Sequence, residues 1–256
     1  MASLNLKHSW DVISVLLGKE IKLRYRGTML GILWSLANPI AFTLVLYIAF
    51  KRVLQVDIPN YPLFILAALF PWQWLSNSVN AASLLFISNA QLIKKLRFPR
   101  LALCLAVVLS EMIHFLITIP VFGALLLLSD IKSPGLSWLV GIPVLLTLQG
   151  SLTLAAVTVI ATVNAFLRDL EQLVRVFLLL LFYVTPVLYP VSMVPENLKW
   201  LLLVNPFSSL IISWRALLMD SSLSPYIAVA LLHAIISLMV AVPVYRKMGW
   251  KLAEVV

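Results

Sequence analysis

Glu111 and His114 sit where ionisable side chains are costly, in the middle of an apolar run over 101–128. Three residues apart, they are neighbours on one face of a helix. A carboxyl and an imidazole so placed should face protein or water rather than lipid. They could line a polar path or form a proton-sensitive site; a hydrogen bond between helices or subunits is the plainer alternative.

Other chemistry is sparse. His8, His114 and His233 lie in separate segments without metal-ligand spacing, and Cys104 is the single cysteine, so no metal site is expected. Gly18-Lys19 lacks the earlier glycine and the hydroxyl of a phosphate loop. No cofactor is expected on this chain, and if ATP drives it the engine belongs to another polypeptide. Asp169 and Glu171 form the one close acidic pair. A membrane-embedded lipid-sugar transferase would need more than that, and a passive channel would need no ATPase; both stand as alternatives from other classes. The aromatic residues Phe70, Trp72 and Trp74, with Phe182, Tyr183 and Tyr189, are candidates for lining a path on which sugar rings could stack, though belt and packing roles suit most aromatics here.

The elements that must position these residues are membrane-spanning. Of 256 residues, 62% are hydrophobic and 11% charged, against roughly 25% charged in soluble domains. A net charge of +9 clusters beside the apolar runs, which suits a membrane surface better than nucleic acid. Six stretches approach the length of about 20 apolar residues that a bilayer requires: 31–50, 63–87, 101–128, 137–165, 174–190 and 226–245. The fold class expected is all-α, a six-span polytopic membrane protein, with kinks near Pro71 and Pro143. Trp10, Ile13, Leu17 and Ile21 recur at helical steps, so 4–26 reads as a helix lying in the membrane interface. Between 191 and 225, the prolines leave two apolar pieces, Leu198–Val204 and Phe207–Met219, too short to cross. Re-entrant helices satisfy their backbone. No repeat, linker or cleavable leader is visible, so residues 1–256 are expected to form one transmembrane domain.

Lysine and arginine fix the orientation. With the N-terminus cytoplasmic, fourteen fall in inside segments and five outside (Lys51, Arg52, Lys132, Lys199 and Arg215), which puts both termini in the cytoplasm. The inside segment Ser88–Arg100 is basic and helix-compatible up to Phe98, before Pro99. It is either a charged turn that sets topology or a docking helix that carries motion from a partner. Arg168 and Asp169, near the inner mouth, could form a charged lock or an exposed pair in a turn.

Several phrases carry a resemblance. Arg24-Tyr25-Arg26-Gly27-Thr28-Met29-Leu30-Gly31-Ile32-Leu33-Trp34, continuing to Asn38-Pro39, resembles the entry to the first span of polysaccharide-exporting ABC transporter permeases. Asn89-Ala90-Gln91-Leu92-Ile93-Lys94-Lys95 with Phe98-Pro99-Arg100 resembles their coupling helix. Phe166-Leu167-Arg168-Asp169, Thr185-Pro186-Val187-Leu188-Tyr189-Pro190, Val194-Pro195 and Asn205-Pro206-Phe207 resemble their C-terminal signature, with Thr185 where many relatives carry serine. The phrases occur in order along nearly the whole chain. Permeases of O-antigen exporters are the most similar group; capsule and teichoic-acid export permeases share the pattern. The resemblance implies a homodimer in the cytoplasmic (inner) membrane, joined to two copies of an ATPase that binds ATP and Mg, and moving a lipid-linked polysaccharide. It implies that Asn89, Gln91, Leu92, Ile93, Lys94, Lys95, Leu96 and Arg97 touch the ATPase, with the stretch from Arg168 to Gln172 as a further candidate contact. It also implies an outer gate at Pro195, Asn205 and Pro206.

Overall fold

The computed structural model describes residues 6–29, 31–53, 55, 58–96, 98–129, 135–167 and 169–255. Every regular element among them is helical. Helix α1 covers Leu6–Tyr25, and a 3-10 turn at Gly31–Leu33 leads into α2, Trp34–Tyr47, which loosens into a π-helical segment over Ile48–Val53. Then follow α3 (Tyr61–Ser88), the short α4 (Ala90–Lys95), α5 (Leu101–Leu127), α6 (Ser137–Asn164) and α7 (Leu170–Val184). Beyond two 3-10 turns come α8 (Trp200–Val204) and α9 (Pro206–Asp220); α10 (Tyr226–Met248) and α11 (Leu252–Val255) end the chain.

Three helices among the described residues are long and apolar enough to cross a membrane: α5, α6, and α10 with its following turn. Helix α3 has 28 residues but carries Gln73, Ser76, Asn77, Ser78 and Asn80 through its centre. Ser78 is buried, Gln73, Ser76 and Asn77 are half-buried and Asn80 is exposed, whereas the N-terminal half of the helix is enclosed by protein. Residues 63–72 are almost continuously buried, and α2, α5, α6, α7 and α9 all pack on α3. Two apolar clusters flank it, one around Phe115, Trp214 and Leu217, the other around Phe64, Leu178 and Phe207. Buried polar groups of α3 such as the Trp74 indole N–H and the Ser78 hydroxyl find partners inside the bundle, at Val108 O and Trp74 O.

The expected segments match the observed ones closely, with one shift. The fifth stretch, read as 174–190, is helical from Leu170 and stops at Val184. Pro186 forces the residue before it out of the α region, and Thr185 is extended, at φ −77° and ψ 136°. Helices α3 and α6 continue through Pro71 and Pro143 as single helices. The two short apolar pieces exist as two helices that bend by 98° between Glu196–Val204 and Pro206–Asp220. Helix α10 packs on α6 and α9, and its buried residues, Ala230, Ala234 and Ala241, are small enough to let backbones approach.

Candidate functional site

The polar residues of α3 are arranged rather than scattered. Gln73, Ser76, Asn77 and Asn80 follow the i, i+3, i+4, i+7 spacing of one helical face. They border a groove of about 680 Å³ between α3 and α7, closed on one flank by Phe42 of α2. At one end Glu171 and Arg175 of α7 form an i,i+4 ion pair. At the other the rings of Trp72 and Phe182 meet with centroids 5.5 Å apart at 58°. Ser76 donates to Gln73 O at 3.4 Å and Asn77 to Glu111 Oε2 at 3.1 Å, so part of the stripe is satisfied within the protein while its members border the groove. The pattern was readable in the sequence spacing, but Trp74, Leu75 and Val79 between its members obscured it.

Gln73 and Asn77 also border a second cavity of about 350 Å³, on the side of α5, where Glu111 and His114 face inward. Glu111 is ion-paired with Arg24 from the end of α1 and accepts a hydrogen bond from Asn77 Nδ2 at 3.1 Å. Arg24 Nη1 lies 3.3 Å from His114 Nδ1. The Glu111–His114 pair is thus part of a four-residue charged and polar cluster across three helices. The contribution of Arg24 was not legible, because its partner lies 87 positions away. Phe70 and Trp74 belong to this cavity, with Trp74 also donating its indole N–H to Val108 O at 3.1 Å. Trp72 and Phe182 belong to the groove. Tyr183 faces outward from α7, and the Tyr189 hydroxyl donates to Val184 O at 2.8 Å, capping that helix. The six aromatic candidates therefore occupy three environments rather than one surface.

The bent pair is tied down by its own polar residues. Asn205 accepts from Phe207 N at 3.0 Å, a side-chain cap on α9. Its Nδ2 donates to Thr185 Oγ1 at 2.9 Å, so the hydroxyl retained in place of serine is in use. Pro206 occupies the first turn of α9, where its missing N–H costs nothing; Pro195 precedes the 3-10 turn Glu196–Leu198 and is exposed. Arg215 of α9 is buried, which sequence reading missed by placing it among outside charges. Its guanidinium donates to Val187 O at 2.8 Å and Phe64 O at 3.4 Å and lies 3.7 Å from the Phe64 ring centroid. A lone arginine inside the apolar stretch Phe207–Met219 was the available signal. Gln149 of α6 joins the same region, donating to Pro71 O at 2.8 Å and accepting from Trp214 Nε1.

The segment read as a docking helix has two faces. Asn89 and Ile93 are buried and Leu92 is half-buried, while Gln91, Lys94, Lys95 and Leu96 are exposed. Asn89 Oδ1 accepts from Lys19 Nζ of α1 at 2.6 Å, and its Nδ2 donates to Leu85 O at 2.9 Å. Leu252, fully buried, brings α11 against this base, and Arg100 donates to Gly249 O. Asp169 is exposed at the start of α7 without a capping hydrogen bond. Arg97 and Arg168 lie outside the described residues. No group of three or more potential metal ligands occurs among the described residues.

A helical bundle with three long apolar helices, a broken pair before the last one and a polar groove along α3 is the architecture of a membrane protein. Residues 11–219 match the ABC-2 type transporter family, and the chain belongs to it. Two O-antigen export system permease proteins RfbA of Klebsiella pneumoniae are each 41% identical to it over 252 residues, 98% of this chain and 97% of theirs. The O-antigen export system permease protein RfbA of Myxococcus xanthus is 34% identical over 227 residues, 86% of each chain.

Proposed function

We propose that this chain is the membrane subunit of an ATP-driven exporter that passes a lipid-linked polysaccharide of the O-antigen type outward across the inner membrane. The amide stripe on α3 carries the reading. A row of neutral donors and acceptors in an otherwise apolar protein matches the hydroxyl groups of a glycan, and the Trp72–Phe182 rings offer apolar faces for sugar rings. The names of relatives alike over nearly the full chain supply the substrate class. The groove is open on one side, so a second copy facing the first would enclose a continuous path, hence a homodimer.

In this arrangement six spans cross the membrane: α2 with its π-helical continuation, α3, α5, α6, α7 and α10. Both termini are cytoplasmic. Helix α1 starts at the cytoplasmic interface, where exposed Trp10 sits at headgroup depth, and tilts inward to reach Glu111. The pair α8–α9 is re-entrant and forms the outer gate, with Pro195, Asn205 and Pro206 at its bends. ATP and Mg bind a separate ATPase, two copies per dimer, which docks on the outward face of α4 through Gln91, Lys94, Lys95 and Leu96. Asp169 and the Glu171–Arg175 pair border the inner mouth. A polymer longer than the membrane is thick advances by repeated small steps, with sugar hydroxyls exchanging hydrogen bonds along the stripe.

Replacing Ser76 and Asn80 together by leucine tests the reading. These residues touch the groove and not the Glu111 cluster. The double variant should still bring down its ATPase on affinity capture but leave the cell surface without the polysaccharide. Undiminished surface polysaccharide would refute the path.

A further inference from the structure

Helix α1 touches the machinery at two levels. Near its middle, Lys19 Nζ donates to Asn89 Oδ1 at 2.6 Å, and buried Leu16 packs beside Leu92 at the base of α4. Five residues later, about 7.5 Å along a helix, Arg24 is ion-paired with Glu111 in α5. Glu111 in turn holds the amide of Asn77, at 3.1 Å. Asn77 borders both the Glu111 cavity and the open groove. While Arg24 is engaged, the donor end of Asn77 is committed to Glu111 and its carbonyl is left for the groove. If Arg24 withdraws, the Glu111 side chain loses the partner that fixes its position, and the Asn77 amide bonded to its other oxygen turns with it. The presentation of Asn77 to the path then changes.

We propose that α1 is a strut coupling the docking helix to the path: Lys19 takes its position from Asn89, and Arg24, acting through Glu111, sets the orientation of Asn77 in the amide stripe. This rests on the exporter reading and assigns Arg24, Glu111 and Lys19 as positioning residues. A helix is stiff over this distance, so displacement of α4 reaches Arg24 with little loss. Glu111 is buried, whereas Arg24 is exposed and borders the cavity, so the pair can break by Arg24 turning toward water while Glu111 stays in place.

The experiment uses the full complex with its ATPase in proteoliposomes and measures polysaccharide exported per ATP hydrolysed. Arg24→Gln and Glu111→Gln should each lower that ratio about tenfold, mid-range for coupling between sites, while ATPase capture and ATP hydrolysis stay within about twofold. Lys19→Gln, at the other end of the strut, should give the same loss, and adding it to Arg24→Gln should give no further loss. Arg24→Lys keeps the charge and should keep most of the coupling. The strut is overturned if the single variants export at the wild-type ratio. It is also overturned if the losses of Lys19→Gln and Arg24→Gln multiply, or if Arg24→Gln and Arg24→Lys both lose assembly and thermal stability, since the pair then only holds the fold. A wild-type complex that hydrolyses ATP and exports nothing would instead refute the exporter reading.

Discussion

Thr185→Val removes one hydroxyl and almost no volume, at a position that is fully buried. In the native protein that hydroxyl accepts the Asn205 amide at 2.9 Å, and Asn205 caps α9 through Phe207 N at 3.0 Å. The valine leaves a buried donor without its acceptor, which costs about 1–3 kcal/mol. If Asn205 turns to satisfy the donor elsewhere, the cap is lost instead, at about 1 kcal/mol. Either way the α8–α9 pair opens more often, and 1–3 kcal/mol is about 5- to 150-fold in the open population. Ser208, one turn into α9, is fully buried, and a thiol there reports that opening. Its hydroxyl finds no hydrogen-bond partner among the described residues, so cysteine is a mild replacement. The only native cysteine, Cys104, is buried and should give little background. In a Ser208→Cys background, Thr185→Val should raise the rate of maleimide labelling in detergent about 5- to 150-fold. Thr185→Ser, which keeps the hydroxyl, should label near the parent rate. A Thr185→Val rate within about twofold of the parent, or a Thr185→Ser rate as high as that of the valine variant, would refute the clasp.

Gln149→Leu should lower stability by about 1–3 kcal/mol in detergent denaturation, because it strands the buried Trp214 N–H. Adding Trp214→Phe should cost less than the two single effects summed, and a strictly additive cycle would disprove the pairing. Arg215→Lys should be destabilising by roughly 1–3 kcal/mol, seen as a lower thermal midpoint, because one ammonium cannot reproduce the guanidinium's two carbonyl contacts together with its stacking on Phe64. Deleting residues 252–256 uncovers Ile93 at the base of α4. Trypsin should then cut after Lys94 or Lys95 about tenfold faster, since local opening sets the rate; an unchanged rate would show that α11 does not hold α4.

Much of the frame was legible in the residue order. Apolar runs bounded by charge and proline set α5, α6 and α10 to within about three residues. Pro195, Pro206 and Pro225 isolated two pieces too short to cross, and these are the bent pair. Glu111 and His114 stood out because charge inside an apolar run is rare. These are local facts, fixed by transfer of side chains from water and by the geometry of proline, and they need no knowledge of neighbours. What the order of residues could not give was partnership across distance. Arg24 with Glu111, Asn205 with Thr185, Gln149 with Trp214 and Lys19 with Asn89 are separated by 20 to 87 positions. Each was visible as a polar residue, but whether it faced lipid, water or another side chain depended on which helices packed together. The same packing decided that the polar stripe of α3 borders a groove beside α7. Local chemistry wrote the helices; the choice of which polar faces meet belonged to the tertiary structure, since desolvation penalises every polar face that the packing leaves unmatched.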